Sequence, residues 1–443
     1  MTLLKRRKKT ISTVYIIYSV QTQKRIIASH IKIKTKMKVK NLLLAGLAVA
    51  AMTACSNEND EIVNNGNQNA ETALMQLSFE VPGTRATSVE DENDDKGVAA
   101  EYGVKWVDVT LTYKDGNKKT VSKPISDFNV ENSGQTLLLS HVEVVPAGTI
   151  TEASAVLNNK ENIWGTTSYT ATAAGLTYLD NSIAKANEFV MSGKIIETIA
   201  FVAGSTSNVV IPVSRVSAKL DEVTNDKVFT IAAKKDANAQ IEEAMTITLE
   251  DYSYGNLALK TNILPGDVTN QEYAQAYGIA DAGYSYNAMS NDVPVYCLEN
   301  AATEGLQSNS TYVLYKATVK FGGVNAPKPF YVWNNTIYKT LAELKAANPN
   351  IGDAYTDDTT QEAYLKNMHV YKYENGECFY MTEVDYANNN HKIVRNTWYK
   401  LEVEGIAKLG FPTPEVPPTY DEAYMNLKIT INPWNVRFNK IQF

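Results

Sequence analysis

Apolar residues that recur at every second position limit this chain to sheets over most of its length. In "LMQLSFEV", Met75, Leu77, Phe79 and Val81 fall on one face, and in "VKWVDVTLTYKDGN", Val107, Val109, Leu111 and Tyr113 do the same before a turn at Asp115-Gly116. "TLLLSHVEVVPAGTITEASAVLN" reads as strands broken at Pro146-Ala147-Gly148, and "EAMTITLEDYSY", "STYVLYKATVKF" and "FYVWNNTIYKTL" carry strand-type residues. Two helices are expected. One is a short helix around "YLDNSIAKANEF"; the other is "TLAELKAAN", with Thr340 as N-cap and Glu343 at capping-box spacing. Asn262 to Asn291, rich in Tyr, Gly, Asn and Ala, reads as a long surface insertion, and the proline-dense "GFPTPEVPPTYDEAY" as a linker. The class is therefore mainly β, with few helices.

The N-terminal region is a targeting segment. "MKVKNLLLAGLAVAAMTAC" has a basic start, an apolar core too short to span a bilayer, and small residues before Cys55, an ending that resembles a lipobox. Residues 37–54 then form a lipoprotein signal peptide and Cys55 takes the lipid. Residues 1–36 read as a non-native upstream extension, the other reading being a long basic n-region. The polar stretch after Cys55 reads as a tether. Net charge is −7 with no basic stripe beyond the leader, which argues against nucleic acid as a partner. Cys297 and Cys378 could pair in an exported chain, but both sit in apolar stretches, where a buried thiol is the commoner case.

No catalytic, cofactor or metal pattern emerges. P-loop, G-x-S-x-G and H-E-x-x-H motifs are missing, and His141, His369 and His391 are far apart. Asp91, Asn93 and Asp95 begin like a calcium loop, but Lys96 stands where the turn glycine belongs and Tyr102 where the bidentate glutamate belongs. Glu242-Glu243 and Asp357-Asp358 read as solvated faces rather than an acid/base pair. Tyr331, Trp333 and Trp398 could line a glycan platform, although strand aromatics are more often core. The tail "MNLKITINPWNVRFNKIQF" alternates again. Met425, Leu427, Ile429 and Ile431 share a face, Pro433 interrupts, and Val436, Phe438, Ile441 and Phe443 follow. Such a terminal strand can complete its own sheet or that of another molecule.

Several segments together resemble the FimA-type fimbrillins, the type V pilins of Bacteroidetes, with the major subunit of the short (Mfa-type) fimbriae as the nearest pattern. They are the lipobox, Arg85 before an acidic loop, "FVMSGK", "VSRVSAKL", "YCLEN", "STYVLYKATV", "YENGECFY", "IVRNTWYKLEVEGIAKLG" and "ITINPW". The resemblance implies two β-sandwich-like, Greek-key, transthyretin-like domains over residues 86–212 and 213–424. Residues 55–85 would be a lipidated propeptide and 425–443 the C-terminal strands. It also implies a surface fimbrial subunit without enzymatic activity or cofactor. The precursor would sit in the outer membrane through its lipid until an arginine-specific protease cuts between Arg85 and Ala86. That cut would remove the strand bearing Met75, Leu77, Phe79 and Val81. The C-terminal strand of another copy would fill the vacated groove, with accessory anchor and tip subunits as further partners. The alternative is a surface lipoprotein that binds glycan or host protein without polymerising.

Overall fold

The alternating segments fold as strands whose apolar faces are turned inward. The computed structural model describes residues 71–80, 98–158, 169–170, 183–236, 239–241, 243–258, 260–266, 287–290, 294–302, 309–351, 369–384, 391–414, 425–433 and 439–440. The fold is mainly β, as the periodicity requires.

The first lobe contains β1 (Thr72–Glu80), β2 (Gly103–Val104), β3 (Trp106–Tyr113), β4 (Lys118–Pro124), β5 (Phe128–Glu131), β6 (Thr136–Leu139), β7 (Glu143–Pro146) and β8 (Gly148–Leu157). It continues with β9 (Met191–Ile195), β10 (Ile199–Phe201), β11 (Thr206–Pro212) and β12 (Ser214–Arg215). One sheet has the order β11-β1-β6-β5, with β7 also on β1. The other has the order β12-β9-β8-β3-β4, with β10 also on β8. Their inner faces share one apolar core that includes Met75, Leu77, Phe79, Val109, Phe128 and Ile211.

The second lobe contains β13 (Ser217–Glu222), β14 (Met245–Gly255), β15 (Val295–Leu298), β16 (Tyr312–Phe321), β17 (Glu377–Glu383), β18 (Thr397–Ile406), β19 (Met425–Pro433) and β20 (Asn439–Lys440). A four-stranded sheet, β15-β13-β18-β19, and a six-stranded sheet built on β14, β16 and β17 contribute to a second core. A further five-stranded sheet around Phe330–Trp333 packs beside α1 (Leu341–Ala347) over Tyr331, Leu344, Ile351 and Val370. The Thr340 side chain of α1 accepts from Glu343 N–H while the Glu343 carboxylate accepts from Thr340 N–H, which is the expected capping box.

Two expectations need correction. In the described part of the helix expected around Asn187, Ala184–Lys185 and Glu188–Phe189 instead form a tight antiparallel hairpin. Asn187 takes a φ of 62° there, a left-handed conformation that asparagine tolerates and that a helix interior cannot use. The stretch from Asn262 is not all surface: Ile263 is buried in the second core, and the Arg395 guanidinium donates to the Asn262 and Ile263 carbonyls at 2.7 and 3.0 Å. Two of the strand aromatics follow the commoner reading, as packed side chains rather than a platform. Tyr331 is core, and Trp398 is packed under the Lys219 ammonium, 3.7 Å from its ring centroid.

Cys297 and Cys378 are buried free thiols rather than a pair. Burial pushes each thiol up to about 12, so neither is a thiolate at neutral pH. Iodoacetamide at pH 8 is expected to leave both unmodified in the folded chain and to label both once denaturant is added. Labelling of either in the native state, read by mass spectrometry, would contradict this packing.

Candidate functional site

β1 is an interior strand of its sheet. It runs parallel to β11, with Leu74 opposite Thr206 and Glu80 opposite Pro212. On its other edge it is antiparallel to β7 through Thr72–Met75 and to β6 through Ser78–Glu80. Ladder bonds continue beyond its ends, with Ala147 N–H donating to Glu71 O at 2.8 Å and Val213 N–H donating to Glu80 O at 2.9 Å. Mid-strand, the Gln76 side-chain amide donates to Leu139 O at 2.8 Å.

The inner face of β1 carries Ala73, Met75, Leu77 and Phe79, all buried, the last three with no exposed surface. Phe79 meets Phe128 of β5 at 5.9 Å between ring centroids. Burying three such large side chains contributes about 5–9 kcal/mol. Among the described residues β11 has no other ladder partner, so withdrawing β1 would leave a one-strand slot between β11 and the β6/β7 edge. That slot would be lined by unpaired backbone groups and apolar side chains. Only another extended segment can satisfy both.

The tail occupies two places. Met425, Leu427, Ile429 and Ile431 lie along β19, which pairs with β18 from Ile406↔Met425 to Thr397↔Pro433, with an irregularity between Val403 and Gly405. β20 pairs with β2 in parallel by only two residues, Gly103↔Asn439 and Val104↔Lys440. Cys55, Val81, Arg85, Ala86, Val436, Phe438, Ile441 and Phe443 lie outside the described residues.

A buried polar cluster joins the two lobes just before β2. Glu101 is fully buried; its carboxylate accepts from Lys219 Nζ at 3.0 Å and from the Tyr296 hydroxyl at 2.6 Å. Arg215, also fully buried, donates through Nε and Nη2 to the Glu101 carbonyl at 3.2 and 3.1 Å, and its Nη1 reaches Asn396 Oδ1 at 3.4 Å. Burial lowers the Arg215 guanidinium to about 10, against the opposing pull of Glu101, so it stays cationic at neutral pH. Burial, then Glu101, raises the Tyr296 phenol, which remains the donor. Arg215 and Lys219 lie in "VSRVSAKL", a segment that entered only through the family resemblance; charges inside a strand pattern are the signal that could have singled them out. Glu101 carries no such signal, because nothing around "VAAEYG" distinguishes a buried acid from a solvated one. Among the described residues no group of His, Cys, Asp and Glu could hold a metal ion.

Residues 371–440 match the family model described as major fimbrial subunit protein type IV, fimbrillin, C-terminal. No curated protein matches the chain. Among solved structures, a fimbrilin from Porphyromonas gingivalis is similar at 16% identity, covering 83% of this chain and 99% of its own, with a TM-score of 0.46. A candidate cell adhesion protein from Bacteroides eggerthii is similar at 14% identity, covering 84% and 99%, with a TM-score of 0.46. A fimbrial assembly protein from Parabacteroides distasonis is similar at 10% identity, covering 82% and 99%, with a TM-score of 0.36.

Two substitutions test the geometry. Phe79→Ala is expected to destabilise the first lobe by about 3–5 kcal/mol in denaturant unfolding. Glu101→Ala, which strands the Lys219 ammonium, is expected to cost about 3–5 kcal/mol, and the Glu101→Ala/Lys219→Met double variant to recover a large part of it. A purely additive double variant would mean that the pair is not coupled. The segment that matches the fimbrillin C-terminal model, residues 371–440, contains β17, β18, β19 and β20.

Proposed function

We propose that this protein is a structural subunit of a surface fimbria, polymerising by strand exchange and serving adhesion. The observation that carries the reading is the position of β1. A strand at the front of the described chain fills the middle of a sheet, and Arg85 follows it in the sequence by five residues. The precursor is exported as a lipoprotein modified at Cys55, and an arginine-specific protease cuts between Arg85 and Ala86. The cut frees the lipid tether together with Met75, Leu77, Phe79 and Val81. The vacated slot then accepts the tail of another copy, with accessory subunits at the filament's anchor and tip.

The cis pairing of β19 divides the tail. β19, which carries Met425, Leu427, Ile429 and Ile431, forms nine residue pairs with β18, whereas β20 has two with β2. The segment with least to lose on leaving is therefore Trp434–Phe443, and Val436, Phe438, Ile441 and Phe443 are assigned as the donated side chains. The first four remain the anchor of that arm. The alternative, a lipoprotein that binds glycan without polymerising, finds less support, since two of the three aromatic residues that could have formed a platform are packed away.

Arg85→Ala is expected to leave the N-terminal strand attached to protein sheared from cells, as read by N-terminal sequencing, and to abolish fibres in electron micrographs. Deleting residues 434–443 is expected to abolish fibres while leaving the fold of the monomer intact. Normal fibres from either variant would sink the proposal.

A further inference from the structure

The two walls of the β1 slot are anchored in the opposite sheet, and β11 is the clearest case. It begins after a tight turn at Gly204, which has a φ of 72° and links it to β10. β10 pairs with β8 through Ile199↔Ile150 and Phe201↔Gly148. Ser207 Oγ adds a bond from β11 back to Ala200 O at 3.0 Å. At its other end β11 runs directly into β12, which pairs with β9 through Ser192↔Ser214 and Met191↔Arg215. Both ends of β11 are thus stapled to strands of the other sheet, with which β1 forms no ladder.

The crossing from one sheet to the other is made at Gly193 of β9. A Cβ there would stand 1.8 Å from the Pro212 carbonyl oxygen and 3.1 Å from Val213 Cα. Both are backbone atoms, so nothing but glycine lets the chain turn this corner. The facing wall is built alike. β7 passes into β8 through Ala147, and the Tyr113 hydroxyl of β3 donates to Pro146 O at 2.9 Å.

We propose that the slot is preformed. The β12-β9-β8-β3-β4 sheet holds β11 and β7 one strand's width apart whether or not β1 is present, and Gly193 is the positioning residue of the β11 wall. The occupant such a slot takes is an extended segment running parallel to β11, with apolar side chains at alternate positions toward Phe128. This rests on the strand-exchange reading above for its biological meaning, but not for its test.

Val210 on β11 and Val144 on β7 are exposed and bracket β1, at registers Val210↔Ser78 and Val144↔Leu74. In the full chain with Cys55→Ser, Val210→Cys and Val144→Cys accept spin labels, while Cys297 and Cys378 stay buried. Leu77→Asp with Phe79→Asp then expels β1 without proteolysis. The expected result is a single label-to-label distance that shifts by less than about the width of one strand, ~5 Å, when β1 is expelled. A synthetic peptide of Thr72–Glu80 should then bind and restore the original distribution. Gly193→Ala should broaden the distribution and weaken that peptide at least tenfold. Collapse, broadening or unfolding of the first lobe with Gly193 intact would overturn the inference, a comparison that decides even if Gly193→Ala misfolds. If Thr72–Glu80 binds and a peptide of Trp434–Phe443 does not, the assignment of the donor fails while the preformed slot stands.

Discussion

The first lobe depends on one ladder, the parallel pairing of β1 with β11. Parallel neighbours are usually joined by a crossover within the chain. Here the two strands are separated by almost the whole lobe, so the sheet closes only when its first strand meets one of its last. Everything between them folds into the remaining sheet framework, which leaves β1 as the last piece of a nearly finished sandwich. Removing a strand in that position would cost the burial of its own side chains and the ladder bonds of β11 and β7, which pair with no other strand among the described residues.

The junction between the lobes is built on opposite chemistry. β13 is buried along its whole length although its sequence, "SAKLDE", is half charged. A strand of this kind is tolerated only because each charge meets a fixed partner: Lys219 with Glu101, Asp221 with the Trp398 indole N–H at 2.9 Å, and Glu222 with the Tyr315 hydroxyl at 3.2 Å. Such pairs add little net stability over apolar packing, but they fix one arrangement, since any slip strands a charge in the core. Glu101 lies sixteen residues beyond Arg85 in the sequence, so the cluster also fixes the chain just before it enters β2.

Much of the fold was legible in the sequence. Period-two alternation located β1, β3 and β19, strand-type residues and turn breaks located β8, β14 and β16, and capping chemistry located α1, because these signals depend on residues close together in the chain. The hairpin at Asn187 was misread as a helix, since "NSIAKANEF" contains good helix formers and only its docking onto the segment before β2, where Asn187 N–H donates to Ala100 O at 2.6 Å, favours the turn. The burial of Ile263 was missed for the same reason: the anchor, Arg395, is more than a hundred residues away.

By itself the sequence determined the mainly β class, the apolar face that β1 presents and the second alternating face at the C-terminus, because side chains on a strand alternate whatever the strand pairs with. Which strands became neighbours was decided only in three dimensions. That β1 lies between β11 and β6/β7, that β19 is engaged with β18, and that Glu101 meets Lys219 and Tyr296 all follow from long-range pairing. A ladder of backbone bonds has no residue code of its own, so its partners are selected by how the completed sheets pack.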